Sequence, residues 1–391
     1  MKRTIDALGD LRGKKVFLRV DFNVPVEGGR VADDYRIRNS LPTIKALADK
    51  GAKLILASHL GRPKGSPDPK YSMAPVAKAL GELLGKEVAF TGALVGPEAQ
   101  KAVDALGPGE VLLLENLRFH PGEQAGDEDF AKELRALADS YVNDAFGTAH
   151  RKDTSVYLLP TLFQEKAAGL LMAKEVEALW RVRENPQKPF VVIMGGAKVS
   201  DKIAVMENLL NKADKVLIGG GMAYTFLKAK GLEVGKSIID QESLEWAEQA
   251  LKKWKDVIVL PVDHVVGQSP DVPGIVSHDI PSDAAGFDVG PETVELFKRE
   301  LAGAKTVFWN GPLGVFEKPG YERGTIEIAH YLKDLTSKGC FVVTGGGDTV
   351  SAIHHAGLRD EDFSHVSTGG GATLEFLGGI DLPGLAVLPD E

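Results

Sequence analysis

Short apolar runs recur along the whole chain, and nearly every one gives way to a stretch of helical period. Val16–Val20, Leu54–Ser58, Val111–Leu114 and Tyr141–Val142 are such runs in the first half, and Phe190–Met194 opens the second. Runs this short and this rich in β-branched residues suit strands buried on both faces. Alternation with helices therefore constrains the chain to α/β architecture, a mostly parallel sheet flanked by helices. A chain of 391 residues divides naturally into two or three domains of this kind. The stretch Gln164 to Glu184 reads as a helix with an apolar stripe of Met172, Val176, Leu179 and Trp180, stopped by Asn185-Pro186 and Pro189. We place the domain boundary there: residues 1–170, a hinge helix or linker over 171–188, and a second lobe over 189–376.

In parallel sheets of this type, ligands bind outside the carboxyl ends of the strands. The residues just past each run are therefore informative. In the first half the runs lead into Asp21-Phe22-Asn23, His59-Leu60-Gly61-Arg62, Asn116-Leu117-Arg118 and His150-Arg151. Arg19, Arg36, Arg62, Arg118 and Arg151 all fall at or shortly after strand ends. Arginine pairs bidentately with carboxylate and phosphate. If these side chains converge, they make a site for a small, multiply anionic ligand, with Asp21 and Asn23 able to meet a hydroxyl. The polar stretch 120–130 carries no such signal and is expected to be a solvated loop.

The second half ends its strands in glycines. The segment 189–211 reads as strand, Gly195-Gly196 turn and helix, with Val199, Ile203, Met206 and Leu210 at helical spacing. That reading puts Lys198 and Lys202 on one side of the helix's first turn, beside free backbone N–H groups, a place for a polyphosphate. Gly219–Gly221, Gly345–Gly347 and Gly369–Gly371 repeat the theme, as if the backbone must approach something closely. Asp348 is positioned to meet a magnesium ion carried by a nucleotide, and Glu317 to accept from ribose hydroxyls. Either acid could equally serve as a helix cap or first-turn residue.

Several classes lack their residues. Walker A, HExxH and GxSxG patterns are absent. The net charge is −9. Residues 1–170 hold 24 Lys+Arg against 23 Asp+Glu and the remainder 22 against 32, so neither half carries a nucleic-acid footprint. The one cysteine, Cys340, lies in an apolar run and is expected to be a buried thiol. No apolar run approaches a membrane span and the first residues do not read as a signal peptide, so a cytoplasmic protein without membrane partners is expected. A two-lobed anion-binding protein without catalysis, a dinucleotide-linked dehydrogenase and an amino-acid kinase are the competing readings. The dehydrogenase would need GxGxxG after the first strand, where RVDFNVP stands.

The words RVDFNVP (19–25), YRIR (35–38), SHLGRP (58–63), LLENLRF (113–119), NDAFGTAHR (143–151), GGAKVSDKI (195–203), IGGGMA (218–223), WNGPLGVFE (309–317), GGGDT (345–349) and STGGGA (367–372) occur in this order. Through them the chain resembles the phosphoglycerate kinase family from end to end. Asp153 stands where that family usually has histidine, and Gly378 where it usually has glutamate. The resemblance implies two lobes, each a doubly wound sheet, with 377–391 folding back on the first. It implies that Asp21, Asn23, Arg36, His59, Arg62, Arg118 and Arg151 hold 3-phosphoglycerate or 1,3-bisphosphoglycerate. ADP or ATP with Mg²⁺ would be held by Gly196, Ala197, Lys198, Lys202, Gly219, Gly220, Asn310, Glu317 and the turn Gly345, Gly346, Gly347, Asp348, Thr349. Arg36, Lys198, Lys202 and the helix starts at Gly346 and Gly369 would stabilise the moving phosphoryl group. A monomer that works by hinge closure is the family's expectation.

Overall fold

The computed structural model describes residues 1–391 and divides into two compact units, Met1–Glu177 with Asp381–Glu391, and Ala178–Ile380. The division falls inside the helix Leu170–Glu184. That helix is shorter than the sequence suggests. Lys166–Ala168 is instead an edge strand paired with Tyr141–Asn143. Gly169 separates strand from helix, where a Cβ would sit 2.1 Å from the Asp144 carboxylate that accepts from Leu171 and Met172 N–H. Met172 and Leu179 are buried as the stripe requires, but Trp180 is 46% exposed.

Unit 1 holds a six-stranded parallel sheet in the spatial order Ala89–Phe90, Val111–Leu113, Lys53–Ala57, Lys15–Arg19, Ser140–Asn143, Lys166–Ala168. Strand order reverses beside Lys15–Arg19: the next strand in sequence lies on one side and Ser140–Asn143 on the other. Strands and helices close over a core that includes Val16, Leu18, Ile44, Leu54, Leu56 and Leu113. Every carboxyl end points the same way, so the segments after Arg19, Ala57, Leu113 and Asn143 gather at one rim.

Unit 2 builds its main sheet in the order Ile258–Val259, Lys215–Ile218, Phe190–Met194, Thr306–Asn310, Phe341–Gly345, His365–Ser367, again all parallel. In chain order this is 3-2-1-4-5-6, the doubly wound arrangement whose switch point lies between its first and fourth strands. Gly195-Gly196 and Gly311-Pro312 lie at that point. A small antiparallel sheet, Ile275–Ser277, His264–Gly267 and Ala285–Val289, lies in the same unit. Cys340 is buried, and burial pushes its thiol up to about 11. No helix is long and apolar enough to cross a membrane.

Candidate functional site

The rim of unit 1 carries a pocket of about 600 Å³ lined by Asn23, His59, Arg62, Arg118 and Arg151, together with Lys64 and Gln124. The side chains arrive from the carboxyl ends of four strands: Asn23 follows Lys15–Arg19, His59, Arg62 and Lys64 follow Lys53–Ala57, Arg118 and Gln124 follow Val111–Leu113, and Arg151 follows Ser140–Asn143, so the sheet itself brings them together. Arg118 is 6% exposed and its Nη1 donates to the Gly61 carbonyl at 2.7 Å. Its Nε is buried with no partner. Burial, then Arg151, disfavours the charge on Arg118; burial is the chief influence on Arg151 too, opposed by Asp153 3.3 Å away. Arg62 is exposed. Buried guanidinium groups crowded by one another gain from an anion, which supplies the missing counter-charge and acceptors.

Arg36 stands beside this pocket rather than in its lining, on the first turn of the helix Tyr35–Asp49. Its Nη1 pairs with Asp21 Oδ2 at 2.7 Å. Asn23 Oδ1 accepts from Gly61 N–H at 2.9 Å, which ties the 21–24 turn to the 58–63 turn. The stretch 120–130 is not the solvated loop expected from its polarity. Glu123 is completely buried and accepts from Ser155 N–H and Oγ–H, and Gln124 reaches the pocket. Lys64 was legible only as the residue after the SHLGRP word; Gln124 gave no signal.

Unit 2 carries a second pocket, about 560 Å³, at its switch point. Gly196, Ala197, Gly220, Glu317 and Asp348 line it, as do Tyr224, Lys236, Gly286, Phe287 and Pro312. The helix after Gly195-Gly196 begins later than its apolar spacing suggests. Gly195–Val199 is loop, Ser200–Lys202 a single 3-10 turn, and the helix runs Ile203–Leu210. Lys198 is therefore an exposed loop residue, and the two lysines do not share a helical face. Lys202 turns back and donates to the Gly195 carbonyl. Burial lowers its pKa to about 8, against the pull of Asp348 and then Asp201.

Much of the glycine pattern answers to packing. The turns interlock: Gly196 N–H donates to Pro312 O, Gly220 N–H to Leu313 O and Met222 N–H to Gly196 O. A Cβ on Gly220, at φ +65°, would lie 2.6 Å from Gly196 N; one on Gly311, at φ +92°, would lie 2.4 Å from Gly195 C. Gly219 is pressed against Leu313. Backbone meets backbone here, and only glycine permits it. Asn310 and Thr349 lie buried beneath the third turn. Asn310 Nδ2 donates to Gly345 O, and Thr349 Oγ1 donates to Gly345 O while accepting from Gly311 N–H. Gly346 caps the helix Gly347–His355, whose first turn carries Asp348. Gly369 N–H donates to Ser367 Oγ ahead of the helix Gly371–Leu377.

Two doubly wound units, one with an arginine-lined pocket and one with a glycine-lined pocket beside a lysine and a carboxylate, have the parts that handling of phosphorylated ligands calls for. The family model for phosphoglycerate kinase matches residues 5–380. A phosphoglycerate kinase of Fervidobacterium nodosum is 50% identical, the match covering 98% of this chain and 97% of that one. One of Anaeromyxobacter dehalogenans is 52% identical over 98% of both. The solved phosphoglycerate kinase from Coxiella burnetii superposes with a TM-score of 0.89 at 39% identity, over 99% of this chain and 98% of its own. The chain belongs to the phosphoglycerate kinase family.

Proposed function

We propose that the unit 1 pocket binds 3-phosphoglycerate, or the 1,3-bisphosphoglycerate made from it, and that the unit 2 pocket binds ADP or ATP. The chain then moves a phosphoryl group reversibly between the acyl phosphate and the nucleotide, the glycolytic step its family performs. The observation that carries this reading is the crowded set of His59, Arg62, Arg118 and Arg151 in one pocket at the strand ends of unit 1. A ligand with a phosphate at one end and a carboxylate at the other satisfies such a set.

Written towards the bisphosphate, the nucleophile is the substrate's own carboxylate, already ionised at neutral pH. No general base is required. The work left to the chain is alignment and positive charge. Arg62, Arg118 and Arg151 hold the phosphorylated acid, Asp21 and Asn23 its hydroxyl, and His59 donates to an oxygen. Lys198, Lys202, Arg36 and the backbone at Gly346 and Gly369 face the charge that spreads over the transferring group. Asp348 suits a magnesium ion that travels with the nucleotide: it is exposed and lines the pocket, and Mg²⁺ needs few protein ligands. Such an ion would neutralise phosphate charge during transfer.

Substrates held by separate units react only when brought together, so hinge closure belongs to the proposal. So do action as a monomer and a cytoplasmic setting. The test is a coupled assay with ATP, Mg²⁺ and 3-phosphoglycerate. Steady consumption of ATP that depends on all three is expected. Saturable binding of the acid with no turnover would leave an anion-binding protein.

A further inference from the structure

Beneath the unit 1 pocket, three buried side chains that no ligand needs to touch, Arg19, Ser155 and Glu123, form a chain that ends on His59 in the pocket lining. Arg19 is completely buried. Its Nε donates to Ser155 Oγ at 2.8 Å, its Nη1 donates to the Val20 carbonyl, and its Nη2 lies 3.3 Å from His59 Nδ1. Ser155 in turn donates its hydroxyl to Glu123 Oε1 at 2.5 Å and its backbone N–H to Glu123 Oε2 at 3.0 Å. Arg19 and Glu123 are thus joined through one buried hydroxyl, and the far end of that chain rests on the imidazole.

The direction of every bond is set by chemistry. Guanidinium has donors only. At Arg19 Nη2 the imidazole nitrogen must therefore accept, so Nδ1 carries no proton. A neutral ring with a bare Nδ1 carries its proton on Nε2. The ring is neutral for a separate reason: His59 is 2% exposed, and burial, then Arg19, Arg118, Arg151 and Arg36, pulls its pKa well below the ordinary value.

We propose that Glu123, Ser155 and Arg19 are positioning residues that lock His59 in its Nε2–H tautomer, so that a neutral imidazole presents a hydrogen-bond donor to the anionic substrate. The idea rests on the reading of this pocket as the phosphoglycerate site for its consequence, but not for its geometry. The design has a physical logic. One more cation beside Arg19, Arg36, Arg62, Lys64, Arg118 and Arg151 would cost more than it returned, whereas a neutral donor binds an oxyanion without adding repulsion. Left to itself, an imidazole divides between tautomers, and the one with a bare Nε2 would turn a lone pair towards the substrate's oxygen. Glu123 keeps Arg19 in place through the Ser155 hydroxyl; without a partner a buried guanidinium would not hold its position.

The test is a nitrogen-15 to proton correlation spectrum of the imidazoles in the ligand-free protein, with His59 assigned by its absence from His59→Gln. Wild type should place Nδ1 in the unprotonated, pyridine-like region and Nε2 in the protonated region. Ser155→Ala and Arg19→Met should move His59 towards a tautomer average. Ser155→Ala should also raise the KM for 3-phosphoglycerate about fivefold, the worth of one net hydrogen bond, and leave the KM for ATP unchanged. A wild-type spectrum with the proton on Nδ1 overturns the proposal by itself, whether or not Arg19→Met folds. A His59 spectrum unchanged in Ser155→Ala and in folded Arg19→Met overturns it as well. Because the spectrum is read without substrate, its failure is distinct from failure of the substrate assignment, which the coupled assay reads on wild type.

Discussion

Lys202 should set the alkaline limit of this enzyme. Its ammonium folds back on the glycine turn, and burial brings its pKa from the ordinary 10.5 to about 8, with Asp348 the largest opposing influence. A lysine that serves phosphates as a cation stops serving when it loses its proton. With a pKa near 8, about half of the free enzyme is charged at pH 8, about a tenth at pH 9 and about a hundredth at pH 10. The quantity that reports groups on the free enzyme is kcat/KM. Measured for the magnesium nucleotide at saturating 3-phosphoglycerate, it should fall about tenfold for each pH unit above 8. Two variants make the assignment specific. Lys202→Arg keeps a charge that does not titrate in this range, so the descending limb should vanish even if the plateau is lower. Asp348→Asn removes the strongest influence holding the proton, so the limb should move to lower pH. The position of the limb is the readout, because Asp348 also has a proposed part in metal binding. A wild-type profile that stays flat to pH 10, or a limb that persists unmoved in Lys202→Arg, would refute the argument.

Burial lifts the Asp144 carboxyl from 3.8 to about 6. The native form therefore holds a proton that the unfolded chain releases near pH 4, and stability present below pH 4 is lost as pH climbs to 6. The loss is about 3 kcal/mol, and Asp144→Asn should flatten that slope. Urea titrations at several pH values, followed by circular dichroism, will read it; all four tryptophans lie in the other unit. Arg62→Ala should raise the KM for 3-phosphoglycerate about tenfold or more with the nucleotide KM unmoved, since an exposed arginine can be removed without disturbing the core. Movement of the nucleotide KM alone would reverse the assignment of the two pockets. Gly220→Ala should destabilise unit 2 by more than about 2 kcal/mol, from positive φ and collision with Gly196 together. Denaturation followed by the fluorescence of buried Trp309 would reveal it, and a wild-type midpoint would contradict the close approach.

Sequence patterns located the central strands because each is a contiguous apolar run, as Phe190–Met194 and Thr306–Asn310 are, but not the short edge strand Lys166–Ala168 or the small antiparallel sheet. They located the arginines for a related reason: residues just after a strand end inherit their place from the sheet. Where the expectation failed, the deciding contact was distant in sequence. Val199 and Ile203 have helical spacing, yet the helix waits until Ile203, because Gly196 is held by Pro312 and Met222 and Ser200 N–H is taken by Asp240. The polarity of 120–130 concealed Glu123, whose partner Ser155 lies 32 residues away. Trp180 belongs to an apolar stripe by period but is exposed, its ring 6.3 Å from Phe376.

The two pockets obey one topological rule but meet it by opposite means. In unit 1 the switch point is filled with long side chains. Its cations come from separate strand ends, and their crowding is tolerated because Asp21, Glu123 and Asp153 are distributed among them. In unit 2 the floor of the switch point is made of glycine turns, with side chains such as Tyr224, Lys236, Phe287 and Glu317 around it. Three turns approach so closely that Gly196, Gly220 and Gly311 leave backbone amides and carbonyls as the surface. The contrast suits what each is proposed to hold. A short acid with charge at both ends is gripped by guanidinium groups that reach it from several directions. A long nucleotide instead needs a smooth floor with its cation at one end, and Lys202, folded onto that floor, supplies one whose charge the pocket itself can adjust.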